Sequence, residues 1–114
     1  MERRQGGDPR GPNGDGEFLS PLGVALAPLS GDVYVVDLGN HRVQYFTTAG
    51  GFLGAVGRYG SGPGEFNEPV YCAISPDGRR LYVTDSRNNR VQYFKWGNPN
   101  VSPTSLGRVK AMFK

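Results

Sequence analysis

The stretch from Gly14 to Phe46 returns, without a gap, from Gly62 to Phe94. Adding 48 to any position in the first copy gives its partner in the second, and 16 of the 33 positions are identical. The shared residues include Gly16-Glu17-Phe18, Pro21, Tyr34-Val35, Asp37, Asn40 and the run Arg42-Val43-Gln44-Tyr45-Phe46. Repetition of this kind constrains the fold more than any other signal, because each unit needs its neighbours to bury its faces. It divides the chain into a flexible lead-in over 1–13, a first unit over 14–61, a second over 62–95 and a basic tail over 96–114.

Each unit reads as short strands separated by turn chemistry. In the first, residues 23–27 form a strand that Pro28 and the turn Leu29-Ser30-Gly31 bring to an end. The second copy has Pro76-Asp77-Gly78 there, where Asp-Gly is a plain hairpin signal. Strands follow over 32–36 and 80–84, then over 42–47 and 90–95, with a further one over 52–56 after Gly50-Gly51. The run Val33-Tyr34-Val35-Val36 is apolar without alternation, which predicts a sheet covered on both faces. Four short antiparallel strands per 48 residues is the unit of a β-propeller blade. The expected fold class is therefore all-β, two four-stranded antiparallel blades of a partial propeller.

The second copy departs from this plan at its outer edge. The positions aligned with 52–56 read Asn100-Val101-Ser102-Pro103-Thr104, a poor strand. Further on, residues 108–113 alternate basic and apolar side chains and would supply a late edge strand; the other reading is a short helix capped by Ser105. The strand is preferred, with Trp96 packing over a blade edge.

Bulk properties exclude several classes. The 18 glycines and 9 prolines recur at fixed offsets around apolar runs, so they punctuate turns and do not signal disorder. From Lys95 to the end there are four basic residues (Lys95, Arg108, Lys110 and Lys114) and no acidic one, so the rest of the chain is close to neutral, at −1, and the formal net charge of +3 comes from this end. A basic end can meet nucleic acid or an anionic membrane, but a solvated terminus is the simpler reading. Cys72 is the single cysteine and aligns with the apolar Val24, so it is expected to be a small buried hydrophobe. No signal peptide is visible, and no apolar run approaches the about 20 residues of a membrane span. No membrane contact is expected.

The string Gly16-Glu17-Phe18, Pro21, Tyr34-Val35-Val36-Asp37, Asn40-His41-Arg42-Val43-Gln44-Tyr45-Phe46 closely resembles the NHL repeat, and its second copy through Asp85, Asn88 and Arg90-Val91-Gln92-Tyr93-Phe94 resembles it equally. The resemblance covers about residues 11–95. It implies a propeller, usually of six blades around a central channel, so two blades leave two outer faces bare. Two resolutions follow: the sequence is a segment of a longer propeller, or three chains join head to tail as a homo-trimer. The segment is preferred.

Candidate chemistry is sparse. Asp37 and Asp85, each followed three residues later by Asn40 or Asn88, have the residue types of a Ca²⁺ site. Because both copies carry the set, hydrogen bonding of each carboxylate to the backbone of its own turn, with Arg42 or Arg90 nearby, is preferred. His41 is the only histidine, too few for a catalytic zinc centre, and Gly60-Ser61-Gly62-Pro63-Gly64 lacks the Lys of a P-loop. No catalytic residue, cofactor or metal is assigned. Tyrosines beside arginines raise RNA stacking, and some relatives of the NHL type resemble RNA-binding propellers or a metal-dependent lyase; both are the lesser alternatives. The chain is expected to be a non-enzymatic scaffold that binds a protein partner or further blades. Its contacts are placed at the loop positions that do not repeat, Leu38, His41, Arg79, Arg80, Arg87 and Asn89.

Overall fold

A computed structural model describes residues 14–103 and, for the backbone alone, 109–113. The lead-in over 1–13, the tail positions 104–108 and Lys114 lie outside the described residues. The first sheet is a meander of β1 (Pro21–Leu26), β2 (Val33–Asp37), β3 (Arg42–Phe46) and β4 (Phe52–Val56), hydrogen-bonded in that order. The second repeats it with β5 (Pro69–Ile74), β6 (Arg80–Asp85), β7 (Arg90–Lys95) and β8 (Val109–Phe113). All six neighbouring pairs are antiparallel. The late segment of the tail is thus a strand and the helical alternative falls away. The opening strands begin earlier than the turn residues suggest, because Pro21 pairs with Asp37, and Pro69 with Asp85, across an irregularity in the register.

Side chains alternate between the two faces of each sheet, and pairing across β2 and β3 decides which face each belongs to. Tyr34 lies opposite Tyr45 and Val36 opposite Val43, and all four are fully buried. This face of the first sheet meets the face of the second that carries Leu81, Val83 and Phe94, also fully buried. The Cys72 thiol reaches the Tyr34 carbonyl at 3.8 Å, and Trp96 stacks on the Tyr34 ring with centroids 6.2 Å apart. Trp96 therefore packs across the sheet-to-sheet contact. At the centre of that contact Gly23 is required: a Cβ there would stand 2.8 Å from the Val70 carbonyl oxygen.

The outer faces are different. Val33, Val35 and Phe46 are only half-buried, whereas their partners 48 residues on, Leu81, Val83 and Phe94, are fully buried. On the second sheet the pattern reverses. Tyr82, Thr84, Val91 and Tyr93 are half-buried, while their counterparts Tyr34, Val36, Val43 and Tyr45 are closed off. Repeat positions with like residues thus differ in burial for one reason: each sheet has a neighbour on one side. The unalternating apolar run of β2 predicts cover on both faces; among the described residues the face of Tyr34 and Val36 has it and the face of Val33 and Val35 does not.

The second sheet holds the first with an element that has no counterpart in the first repeat. Val43 pairs with Val56 but Val91 with Phe113, a separation of 57 between the outer positions against 48 between the inner ones, so nine residues are inserted. The inserted loop turns back over the first sheet. There the Tyr34 hydroxyl donates to Ser102 Oγ at 2.9 Å, Ser102 Oγ donates to Asp32 at 2.6 Å, and the Tyr45 hydroxyl donates to the Pro103 carbonyl at 2.6 Å. Replacing Trp96 by alanine removes the ring that seats this loop on Tyr34. The expected loss is about 3 kcal/mol, the low end for a large aromatic because Trp96 is only partly buried, read as a lower urea midpoint.

Burial between the sheets and beneath this loop sets an alkaline limit on the fold. It pushes the Cys72 thiol from an ordinary 9.0 up to about 12 and the Tyr45 hydroxyl from 10.0 up to about 12, and it raises Tyr34 as well. The unfolded chain releases these protons at lower pH than the folded one. Stability from these groups is therefore complete below about pH 9 and is lost as pH rises through the interval from 9 to 12. Cys72→Val, which installs the residue that the first repeat carries at this position, is expected to move the onset of that loss toward pH 10. Urea midpoints of the two proteins measured across this range test it.

Candidate functional site

At one end of each sheet a carboxylate collects donors from three segments. Asp37 ends β2 and is fully buried. Its Oδ1 accepts the Leu19 N–H at 2.8 Å, and its Oδ2 accepts Asn40 Nδ2 and Arg42 Nε, both at 2.9 Å, and Gln44 Nε2 at 3.2 Å. Arg42 passes on through Nη2 to the carbonyls of Gly14 and Glu17, and Gln44 bridges the Gly16 N–H and the Glu17 carbonyl. The second sheet reproduces the pattern. Asp85 accepts the Asn67 N–H at 2.7 Å, Asn88 Nδ2 at 2.9 Å, Arg90 Nε at 2.7 Å and Gln92 Nε2 at 3.2 Å. Arg90 in turn binds the carbonyls of Ser61, Gly62 and Glu65.

These clusters explain why Asp, Asn, Arg and Gln repeat at this spacing. The short helical turns Leu38–Asn40 and Ser86–Asn88 fold the Asn back on the Asp, and strand alternation puts Arg and Gln on the carboxylate's side of the sheet. The segment carrying Gly-Glu-Phe is thereby tied to the strand ends, which seats Phe66 between the blades in full burial. Phe66 meets Phe94 edge-on at 6.1 Å, and Gly57, at φ +104°, leaves room for its ring. The expectation of bonds to the backbone of the carboxylate's own turn is corrected here. The backbone donors are Leu19 and Asn67, 18 residues upstream, and side chains supply the rest. A fully buried carboxylate that already accepts four hydrogen bonds, one of them from a guanidinium that neutralises it, is a poor ligand for a hard cation. Among the described residues no three His, Cys, Asp or Glu side chains converge.

The six loop positions divide between the two ends of the sheets. Leu38, His41, Arg87 and Asn89 lie in the β2–β3 and β6–β7 turns, at the end where the clusters sit. Arg79 and Arg80 lie at the opposite end, after the β5–β6 turn. They form no single constellation. His41 and Asn89 share a left-handed backbone at φ 55°, and both close their turns with an N–H to the residue three before. His41 is engaged internally: its Nδ1 accepts the Glu68 N–H at 3.0 Å and its ring meets Tyr59 edge-on at 5.0 Å. Arg80 stands over the Tyr93 ring at 5.4 Å, and a hydrogen bond from it to Tyr82 raises its pKa. At the neighbouring turn the Ser75 hydroxyl, followed by the Arg79 N–H, holds the Asp77 carboxyl below its usual range. Arg79, Arg87 and Asn89 remain exposed.

Sequence reasoning did not find the clamp formed by Ser102 and Pro103, or the part that Gln44 and Gln92 play. For the glutamines a signal exists, since they share both repeat and strand parity with the arginines. Two meanders stacked face to face, each uncovered on its far side, define a sector of a β-propeller. Residues 25–100 match the family described as 6-bladed beta-propeller, and the chain belongs to it. No curated protein matches the chain.

Proposed function

We propose that this chain is an NHL-type propeller sector that acts as a non-enzymatic scaffold, its two outer sheet faces being docking surfaces for further blades or a protein partner. The observation that carries this reading is the pair of uncovered faces at either end of a tightly bound two-sheet body. One presents Phe18, Val33, Val35 and Phe46 around a groove, and the other presents Tyr82, Val91 and Tyr93. Isolated surface hydrophobes are ordinary, but contiguous sheet faces of this kind belong to interaction sites. The NHL assignment draws support from the Asp-Asn-Arg-Gln clusters, since the residues that carry that resemblance do the same structural task in both blades.

The exposed loop residues Arg79, Arg87 and Asn89 all belong to the second sheet and would add polar contacts at the rim of its outer face. Placing a charge on either face, with Val35→Asp or Val91→Asp, tests the reading by sedimentation. Face-dependent association of the unmodified chain, abolished by either substitution, is the expected result. A wild-type chain that sediments as a monomer at every concentration, indifferent to both substitutions, refutes it.

A further inference from the structure

We propose that the outer face of the second sheet takes a polypeptide partner whose covering loop is acidic, a carboxylate of that loop pairing with the Arg80 guanidinium. The proposal rests on the scaffold reading and names the chemistry of what docks on one of its two faces. The contact already built between the sheets is the template. There the inserted loop of the second sheet lies over the first, and Ser102 Oγ donates to the Asp32 carboxylate at 2.6 Å. The counterpart of Asp32, 48 residues on, is Arg80, and the counterpart of Thr47 is Lys95. Arg80 and Lys95 pair across β6 and β7, on the same face as the Tyr82–Tyr93 pair. A position that seeks a donor in the first blade thus seeks an acceptor in the second. The outer face of the first sheet, apolar around Phe18, Val33, Val35 and Phe46, makes no such demand.

Arg80 is incompletely served within the chain. Its guanidinium stands over the Tyr93 ring and bonds Tyr82, but its Nε is buried with no acceptor. A buried donor on a charged group is costly to leave unmade, and a carboxylate fits a guanidinium better than a neutral acceptor does. Among the described residues no carboxylate fills that place. Asp77, at the neighbouring turn, is taken by the Ser75 hydroxyl at 2.6 Å and the Arg79 N–H at 3.1 Å. Arg79 and Lys95, both exposed, add positive charge beside Arg80. The rest of the face limits the partner's shape. Asn89, exposed at φ 55°, stands where His41 accepts the Glu68 N–H from the next sheet, so its amide oxygen offers the same bond to a main-chain N–H. Tyr71 stands where Gly23 lets β5 approach β1, so the partner's nearest strand is set further out than β5 is.

A displayed library of random peptides, selected on the wild-type chain at low salt, supplies the probes. The selected peptides are expected to be rich in Asp and Glu and to lose binding to Val91→Asp, which spoils the face. They are expected to bind Arg80→Gln about tenfold more weakly, the loss of one charge-assisted hydrogen bond. Their amide isosteres should show the same weakening and no further response to Arg80→Gln. Arg58→Gln, which removes an equal charge elsewhere on the surface, is expected to change nothing. Urea midpoints followed by Trp96 fluorescence show which variants fold, and the Arg80→Gln arm decides the acidic class even where Val91→Asp does not. Neutral peptides that fail on Val91→Asp but ignore Arg80→Gln overturn the acidic partner and keep the face as a docking surface. A fluorescent uridine oligomer that displaces the peptides, and is itself lost with Arg80→Gln, overturns the polypeptide partner. If no peptide is enriched on the wild-type chain, the proposal and the docking reading of this face both fall.

Discussion

Asp85→Ala is expected to cost about 3–5 kcal/mol, enough to take a small domain with about 5–15 kcal/mol in hand to the edge of unfolding. Four donors converge on this carboxylate within 3.2 Å, and the guanidinium bound to it has 6% of its side chain exposed. Truncation leaves that charge without its counter-ion in a site water hardly reaches. It also frees the Asn67 N–H, which fixes the approach of the segment that carries Phe66. The size of the loss measures the charge left behind more than the attraction removed, so a second substitution should recover part of it. Asp85→Ala with Arg90→Met, which takes out both charges and keeps the apolar stem, is expected to be more stable than Asp85→Ala alone. Urea titrations followed by Trp96 fluorescence give all three midpoints. A single variant as stable as wild type would show that the cluster is incidental to the fold.

Much of the fold is legible in the sequence because the two copies annotate one another. Residues 52–56 and 90–95 are strands with the bounds their patterns predict, and β2 begins one residue later than expected. The register error at Pro21 has a local cause: a proline ahead of an apolar run looks like an approach to a strand, yet here it already pairs with Asp37. The insertion before β8 is opaque for a different reason. Repeat logic has nothing to compare where one copy departs from the other, so Trp96 reads as a packing residue but the clamp of Ser102 and Pro103 shows only once the chain is folded. The clusters lie between these cases. Their residue types repeat visibly, but the Leu19 and Asn67 donors are main-chain groups, and any residue provides an N–H.

Phe66→Ala and Phe18→Ala make the same chemical change at matched positions, and the two costs are expected to differ in the dilute chain. Phe66 is fully buried between the blades, where removing an aromatic side chain costs about 3–5 kcal/mol. Phe18 occupies the same place in the first repeat, 5.7 Å from Phe46, but its outer side borders a groove with no blade across it. Part of its surface is already wet, so less transfer free energy is lost and little cavity forms. Phe18→Ala is therefore expected to cost well under half as much as Phe66→Ala when the protein is dilute. Raising the protein concentration should bring the costs together, because a blade docked on the first sheet buries Phe18 as the first sheet buries Phe66, and binding is linked to stability. Urea midpoints for both variants across a concentration series read this directly. Equal costs at the lowest concentration would mean that the first blade completes its own core, and that its outer face requires no neighbour.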